Sequence, residues 1–593
     1  MAYTQSFLQF RALTTPLRVP TKWEVMGTNK RNHIVCKAVK EDVEDSDATN
    51  VSLVSRRLAL GTALIGGAAA AGTKASPARA VDATLSLQEP PATTLPASIV
   101  EVLPLNRTSF PEGFVFGTAS AAYQYEGAAF DYGRKPSVWD NFTHKYPEKI
   151  NDRSNGDVAV DEYHRYKEDI QIMKDMNLDA YRFSISWSRI LPNGKVGENE
   201  EGVNQEGIAY YNRLIDHLKD NDIEPYVTLF HWDFPQALEE EYGGFLNPRV
   251  VDDFRNYANI CFKYFGNRVK HWITLNEPWA YSREGYSVGM FAPGRCSETV
   301  DSTCLGGDSG TEPYIVTHHL LLAHAAAVDL YKKQYKDDQK GEIGITLISR
   351  WFEPYSNTEA DKKAAERALD FLFGWYMQPL TSGKYPESMR SLVGRRLPEF
   401  TAEESRLLAG SFDFLGLNYY TTNYAADQPS SNLNPSYETD ANVNYLTERN
   451  GIPVGTPTAS NWLFVCPKGF KDLLLYVKEK YNNPLIYITE NGRGNDVNDE
   501  GQTREEALLD IYRIDYYYRH LYYLRSAMSE EVNVKGYFAW SLLDNFEWKN
   551  GYLVGFGLNY VDRNDDLKRY AKLSARWFKS FLQRPDPNPN YEG

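Results

Sequence analysis

From Phe114 onward, eight short apolar runs alternate with amphipathic stretches, and this alternation restricts the fold more than any other feature of the chain. The runs are Val115–Ala119, Ala180–Ser186, Pro225–His231, Lys270–Leu275, Glu342–Ile348, Phe412–Asn418, Leu485–Thr489 and Val534–Trp540. Between them, Tyr163, Tyr166, Ile170 and Met173 recur at helical steps, and Ile208, Tyr211, Leu214, Ile215 and Leu218 mark one face of a second helix. A strand followed by a helix, repeated, makes neighbouring strands parallel, because the helix returns the chain to the edge where the next strand starts. Eight such units predict one (β/α)8 TIM barrel, an α/β fold with elaborated loops after its strands, where functional side chains gather at the strand C-termini. A chain of 593 residues, 42% of them apolar and 14% aromatic, can bury a core of that size.

Two of the runs end in an acid. Thr274-Leu275-Asn276-Glu277-Pro278 closes the fourth run and Ile488-Thr489-Glu490-Asn491-Gly492 the seventh. These strands lie across the barrel mouth from one another, so Glu277 and Glu490 are expected to face each other over one cleft. Two carboxyl groups placed this way suit cleavage of a glycosidic bond, with one protonating the leaving oxygen and the other attacking the sugar.

The formal charge of −15 argues against nucleic acid or an anionic membrane face as a partner, since little would neutralise phosphates. A small uncharged molecule fits better. The five cysteines show no metal-ligand spacing, and no cofactor or metal is expected. His318, His319 and His324 lack a carboxylate at zinc-helix spacing and read as helix residues facing the barrel.

The first part of the chain has a different composition. Residues 1–40 carry Arg11, Arg18, Lys22, Lys30, Arg31, Lys37 and Lys40 against the single acid Glu24, as in a plastid transit peptide. Ser55-Arg56-Arg57, a mildly apolar stretch and Ala78-Arg79-Ala80 then read as a twin-arginine signal of the kind that leads to the thylakoid lumen. An alanine-rich stromal leader is the alternative. The stretch is too short and too rich in small residues for stable membrane insertion. A disordered targeting leader is therefore expected over 1–80, a proline-bearing linker over 81–107 and the catalytic barrel over 108–593.

Several words along the chain resemble glycoside hydrolase family 1, in particular its plant β-glucosidase branch. They are Thr118-Ala119-Ser120, Tyr123-Gln124-Tyr125-Glu126-Gly127-Ala128, His231-Trp232-Asp233, Asn276-Glu277-Pro278, Gly416-Leu417-Asn418-Tyr419-Tyr420, Thr489-Glu490-Asn491-Gly492 and the stretch from Trp540 to Trp548. The resemblance spans about residue 108 to 582 and implies a retaining β-glucosidase. It makes Glu277 the acid/base, Glu490 the nucleophile and Arg182 the cation that keeps the nucleophile ionised. It also makes Gln124, His231, Asn276, Glu547 and Trp548 binders of sugar hydroxyls, Trp540 the apolar floor, and Asn418 and Tyr420 supports near the ring and the nucleophile. A glutamate rather than glutamine at position 277 favours O-glucosides over thioglucosides, and a carboxylate at Glu547 disfavours phosphorylated sugars.

Beyond the sugar, Trp462 aligns with one wall of the aglycone slot, which suits an aromatic or apolar aglycone. Trp279, Phe234 and Tyr281 either line that slot or anchor the core. Phe556 aligns with a residue near the glucose 6-hydroxyl, and Gly555 stands where many relatives have arginine. The lost bulk leaves open a glycosidase that releases a disaccharide. The resemblance further implies a disulfide between Cys296 and Cys304 and a possible homo-oligomer. A transglucosidase using the same glycosyl-enzyme, and a sugar-binding protein without turnover, are the remaining readings.

Overall fold

The computed structural model describes residues 105–429, 434–496 and 503–584. The leader expected over 1–80 and most of the linker lie outside the described residues. Eight parallel strands form a closed barrel: β1 (Val115–Ala119), β2 (Ala180–Ser184), β3 (Glu224–Phe230), β4 (His271–Asn276), β5 (Glu342–Pro354), β6 (Leu415–Asp427), β7 (Ile486–Asn491) and β8 (Val534–Ala539). Each pairs with its sequence neighbours, β8 also pairs with β1, and the ring has no free edge. Leu105 is buried, and Arg107 forms an ion pair with Asp179 at 2.6 Å.

Both faces of the strands are covered, which is why they read as nearly unbroken apolar runs rather than alternating ones. The residues expected to mark helix faces pack inward as their spacing requires. Tyr163, Tyr166, Ile170 and Met173 are buried on the helix Glu162–Asp175, and Ile208, Tyr211, Leu214, Ile215 and Leu218 on the helix Gln205–Asp220. Inside the barrel, Ala180, Tyr226, Ile273, Phe414, Tyr487 and Phe538 form a separate apolar cluster. Its rings meet edge to face, Phe414 and Tyr487 at 5.2 Å and Tyr226 and Phe538 at 4.8 Å. Side chains on a strand repeat their direction every second residue. Two steps beyond this plug, Ala180 leads to Arg182 and Phe538 to Trp540, so the apolar cluster is the floor on which the polar cleft stands.

The strands near the acids are irregular. Register slips by one residue between Ile273 and Asn276 of β4, between Ile488 and Asn491 of β7, and between β5 and β6, where Ser349 and Trp351 face Tyr419 and Thr422. Such bulges turn a strand end and re-aim its side chains. β5 and β6 also run further than their expected ends at Ile348 and Asn418, because their upper halves continue to pair as far as Pro354 and Ala425. The sequence Tyr419-Tyr420-Thr421-Thr422-Asn423-Tyr424 supplies the aromatic and β-branched residues that favour the extension. Val443–Leu446 adds an antiparallel strand to it, raising one wall of the mouth.

Cys296 and Cys304 are joined in a disulfide, and Cys261 and Cys466 are buried free thiols. His324 bonds to Thr274 at 2.6 Å, His319 to the Phe245 carbonyl and His318 to Tyr385, so all three have structural partners. No metal-binding cluster occurs among the described residues, and no described helix is long and apolar enough to cross a membrane.

Gly416 on β6 lies between Thr346 of β5 and Thr489 of β7. A β-carbon there would stand 2.3 Å from Thr346 Oγ1 and 2.9 Å from Thr489 Cγ2. Gly416→Ala should therefore cost about 1–3 kcal/mol through overpacking, read as unfolding at lower urea concentration, and should lower activity by displacing Thr489. Wild-type stability and activity together would show that the three strands can part without consequence.

Candidate active site

Arg182 rises from β2 into the centre of the barrel mouth and is fully buried. Its Nη1 donates to Glu490 Oε1 and its Nη2 to Asn276 Oδ1, both at 2.5 Å. The other oxygen of Glu490, Oε2, accepts from the Tyr420 hydroxyl at 2.7 Å. Glu490 is thus a carboxylate in an ion pair, held at both oxygens by groups from β2 and β6. Glu277 follows β4 in a left-handed conformation with φ of 41°, which turns its side chain off the strand direction at the head of the helix Pro278–Tyr286. Its Oε1 accepts from Asn418 Nδ2 at 2.6 Å, and Asn418 in turn is held by the Thr489 hydroxyl at 2.6 Å.

Asn418 also reaches Asn276 Oδ1 at 3.3 Å, so the chain Glu277, Asn418, Asn276, Arg182, Glu490 links the two acids through hydrogen bonds. Both acids are nearly buried, with 5% and 4% of their surface exposed. Their environments differ. Burial first, and the Glu490 charge second, push the Glu277 carboxyl up to about 8, against the lowering effects of the Asn418 bond and of Arg182 and Arg350. Glu277 is therefore protonated at neutral pH while facing an ion-paired carboxylate.

Around this pair the remaining expected residues converge. His231, just past β3, shares a 2.9 Å contact between its Nε2 and Asn276 Nδ2, and burial together with the Arg182 charge holds its pKa well below normal, so it is neutral. Gln124 anchors its amide nitrogen on Asn545 Oδ1 at 2.9 Å and on the Phe546 carbonyl at 2.8 Å, and its Oε1 is buried without a partner. His231 Nδ1 is likewise unpartnered. Buried polar atoms normally find partners, so these two present hydrogen-bonding capacity to a ligand. Trp540 follows β8 and donates to Glu547 Oε1 at 3.2 Å. Burial and the Glu490 charge raise Glu547 to about 8, which hydroxyl donors from a sugar would bring down.

Aromatic rings close the space. Trp548 lies 4.6 Å from Trp232 and 5.9 Å from His231, both ring-to-ring. Across the cleft, Tyr420 makes edge contacts with Trp462 at 5.8 Å and with Phe556 at 6.1 Å. These contacts bring Arg182, Asn276, Glu277, Asn418, Tyr420 and Glu490 together, with His231, Trp548, Trp462 and Phe556 around them and Gln124, Trp540 and Glu547 beside them. Phe234 and Tyr281 are core residues, packed against Phe245, and Trp279 is buried with its indole nitrogen on the Tyr437 hydroxyl at 2.6 Å. Gly555 is buried, and the carbonyls of Gly555 and Phe556 accept from Arg513 at 3.0 and 2.8 Å.

Four contributors escaped the motif reading. Trp232 fixes the Asn276 carbonyl at 2.8 Å, Thr489 orients Asn418, Asn545 orients Gln124, and Arg350 projects beside Trp462 with its guanidinium carbon 5.7 Å from the ring centre. The first three stand inside the quoted words and were detectable as neighbours of functional residues. Arg350 has no such signal.

The model of glycosyl hydrolase family 1 matches residues 106–586. The chain is a member of that family. β-Glucosidase 12 of Oryza sativa subsp. japonica is 61% identical over 480 residues, covering 81% of this chain and 93% of the rice protein. The isoflavonoid 7-O-β-apiosyl-glucoside β-glycosidase of Dalbergia nigrescens is 59% identical over 489 residues, 82% of this chain and 88% of its own length. Furcatin hydrolase of Viburnum furcatum is 56% identical over 476 residues, 80% and 86% of the two chains. The crystal structure of the rice β-glucosidase Os3BGlu6 superposes with a TM-score of 0.79 at 52% identity, covering 81% of this chain and all of that one. This family 1 member is a glycoside hydrolase.

The proximity of the two acids is directly testable. In Glu490→Gln the repelling charge disappears, so the Glu277 carboxyl, followed by NMR of a labelled carboxyl carbon, should titrate at lower pH than its wild-type value of about 8. An unchanged midpoint would mean that the carboxyls do not sense one another.

Proposed function

We propose that the protein is a retaining β-glucosidase acting on O-β-glucosides with aromatic or apolar aglycones. The observation that carries the reading is the division of labour between two buried carboxyls, one kept protonated by its surroundings and one held as a carboxylate in an ion pair. In the first step Glu490 attacks the anomeric carbon from the α face, the glycosidic bond breaks, and the Glu277 proton passes to the departing oxygen. The product is an α-linked glucosyl ester. Arg182 and Tyr420 hold the attacking carboxylate in place, which spares the step the cost of orienting it. In the second step Glu277, now a carboxylate, takes a proton from water, the water oxygen bonds to the anomeric carbon, and Glu490 leaves as a carboxylate with β-glucose released.

The sugar lies between two groups of side chains. Gln124, His231, Asn276 and Glu547 offer donors and acceptors to hydroxyls, and Trp540 and Trp548 offer apolar surface to the ring. Names of similar proteins, including β-glucosidase 12 of rice, support glucose as the sugar. A second reading, release of a disaccharide from a 6-O-glycosyl-glucoside, is favoured by Gly555, which puts no side chain next to Phe556. The likeness to the apiosyl-glucoside β-glycosidase of Dalbergia nigrescens supports it too. The leader composition supports delivery to a plastid, with stroma and thylakoid lumen as its two destinations, and pairing into homo-oligomers belongs to the same proposal.

Glu490→Gly should abolish turnover of 4-nitrophenyl β-glucoside, and azide should partly restore it by entering the vacated α face to give α-glucosyl azide. Rescue that yields only β-glucosyl azide, or a wild-type first product of α configuration, would sink the double displacement. For wild type, kcat/KM should be sustained below the Glu277 pKa of about 8 and fall as pH rises through it, because the acid is then lost. Faster cleavage of a 6-O-pentosyl glucoside than of the corresponding glucoside would move the assignment to the disaccharide reading.

A further inference from the structure

Arg350 lies on the upper half of β5, opposite the register slip between β5 and β6, at the aglycone side of the cleft. Its guanidinium carbon stands 5.7 Å from the centre of the Trp462 ring, within cation–π range, and its charge is felt at the Glu277 carboxyl. The residue is half-buried. Among the described residues the hydrogen bonding of its side chain is confined to Nη1, which donates to Asn423 Oδ1 at 3.1 Å, and its buried Nε has no partner. No described carboxylate lies within 4.0 Å of it.

Neighbouring Arg283 is treated differently. It makes ion pairs with both Glu284 and Glu438. A guanidinium carries five donors in a rigid fork suited to carboxylates, and burying a cation without a counter-ion is costly. Burial and the Arg283 charge pull Arg350 down to about 10 against the more distant charges of Glu284 and Glu277, which still leaves it cationic at neutral pH. A substrate slot that keeps a cation stacked on its aromatic wall, with most of its donors unspent, is short of an anion.

We propose that Arg350 is an anion anchor for the aglycone, and that the preferred substrates are β-glucosides of aromatic acids, the ring lying against Trp462 and the carboxylate on the guanidinium. The proposal rests on the β-glucosidase reading and narrows it. The anchor acts only on the leaving half of the substrate, so it selects the aglycone and leaves recognition of glucose untouched. It also places a negative group beside the cation whose field otherwise lowers the pKa of the acid Glu277.

The test compares 4-carboxyphenyl and 4-carbamoylphenyl β-glucosides, alike in shape and different in charge, on wild type and on Arg350→Met. Taking the variant-to-wild-type ratio of kcat/KM for each substrate cancels their different leaving-group abilities. The acid should lose about tenfold or more and the amide less than about threefold, the size expected for one charge-assisted pair. Retained cleavage of the amide also shows that the variant folds. Independently of any variant, 4-hydroxybenzoate should inhibit wild type more strongly than 4-hydroxybenzamide, and added salt should narrow the difference. Equal losses on both substrates, or equal inhibition by both phenols, would overturn the anchor while leaving the β-glucosidase assignment standing. Failure of wild type to cleave either compound or 4-nitrophenyl β-glucoside would overturn both.

Discussion

The buried guanidinium of Arg182 is the contact on which the site depends. It ties β2 to the acid on β7 and to the asparagine at the end of β4, and through Asn276 and Asn418 it reaches the second acid. A charge removed from water this completely is tolerated only where partners satisfy it, and removing one partner would strand the other. Arg182, Glu490 and Asn276 therefore form a unit. The apolar plug of Tyr226, Ile273, Phe414, Tyr487 and Phe538 beneath them excludes water from below and strengthens the interaction.

A regular parallel barrel would point its side chains alternately into the lumen and out towards the helices. The departures from regularity occur where chemistry needs a different aim: slips of register in β4 and β7 precede or contain the acids, and the slip between β5 and β6 falls at Arg350 on one strand and at Tyr420 and Thr421 on the other. The left-handed backbone at Glu277 serves the same end. Strain of this kind persists only where the surroundings determine it, and here the adjoining helix and the Asn418 bond do so.

Environment, not residue type, separates the roles of the two glutamates. Glu277 has deep burial and a nearby negative charge, which outweigh the lowering effect of its one amide donor, Asn418, and keep it neutral. Glu490 has a guanidinium and a phenol. Identical side chains thereby become a proton donor and a carboxylate within one cleft, which is the arrangement acetal cleavage requires.

The barrel was legible in the chain because its periodicities are physical consequences of the fold: near-continuous apolar strands buried on both faces, and helices such as Gln205–Asp220 with one apolar stripe. The site residues were legible because they stand in short words at or near strand ends, as Glu277, Glu490 and Trp540 do, although Asn418 stands inside the lengthened β6. The extension of β5 and β6 was not, since it depends on the two strands pairing with each other beyond the barrel. Nor were the core positions of Phe234 and Tyr281, the bond from Arg182 to Asn276, or the lack of a carboxylate within 4.0 Å of Arg350 among the described residues. A sequence names the ionisable groups and their spacing along the chain. Which of them are buried, which charges they meet and which donors remain free follow from contacts between segments far apart in sequence, and only the folded barrel brings those segments together.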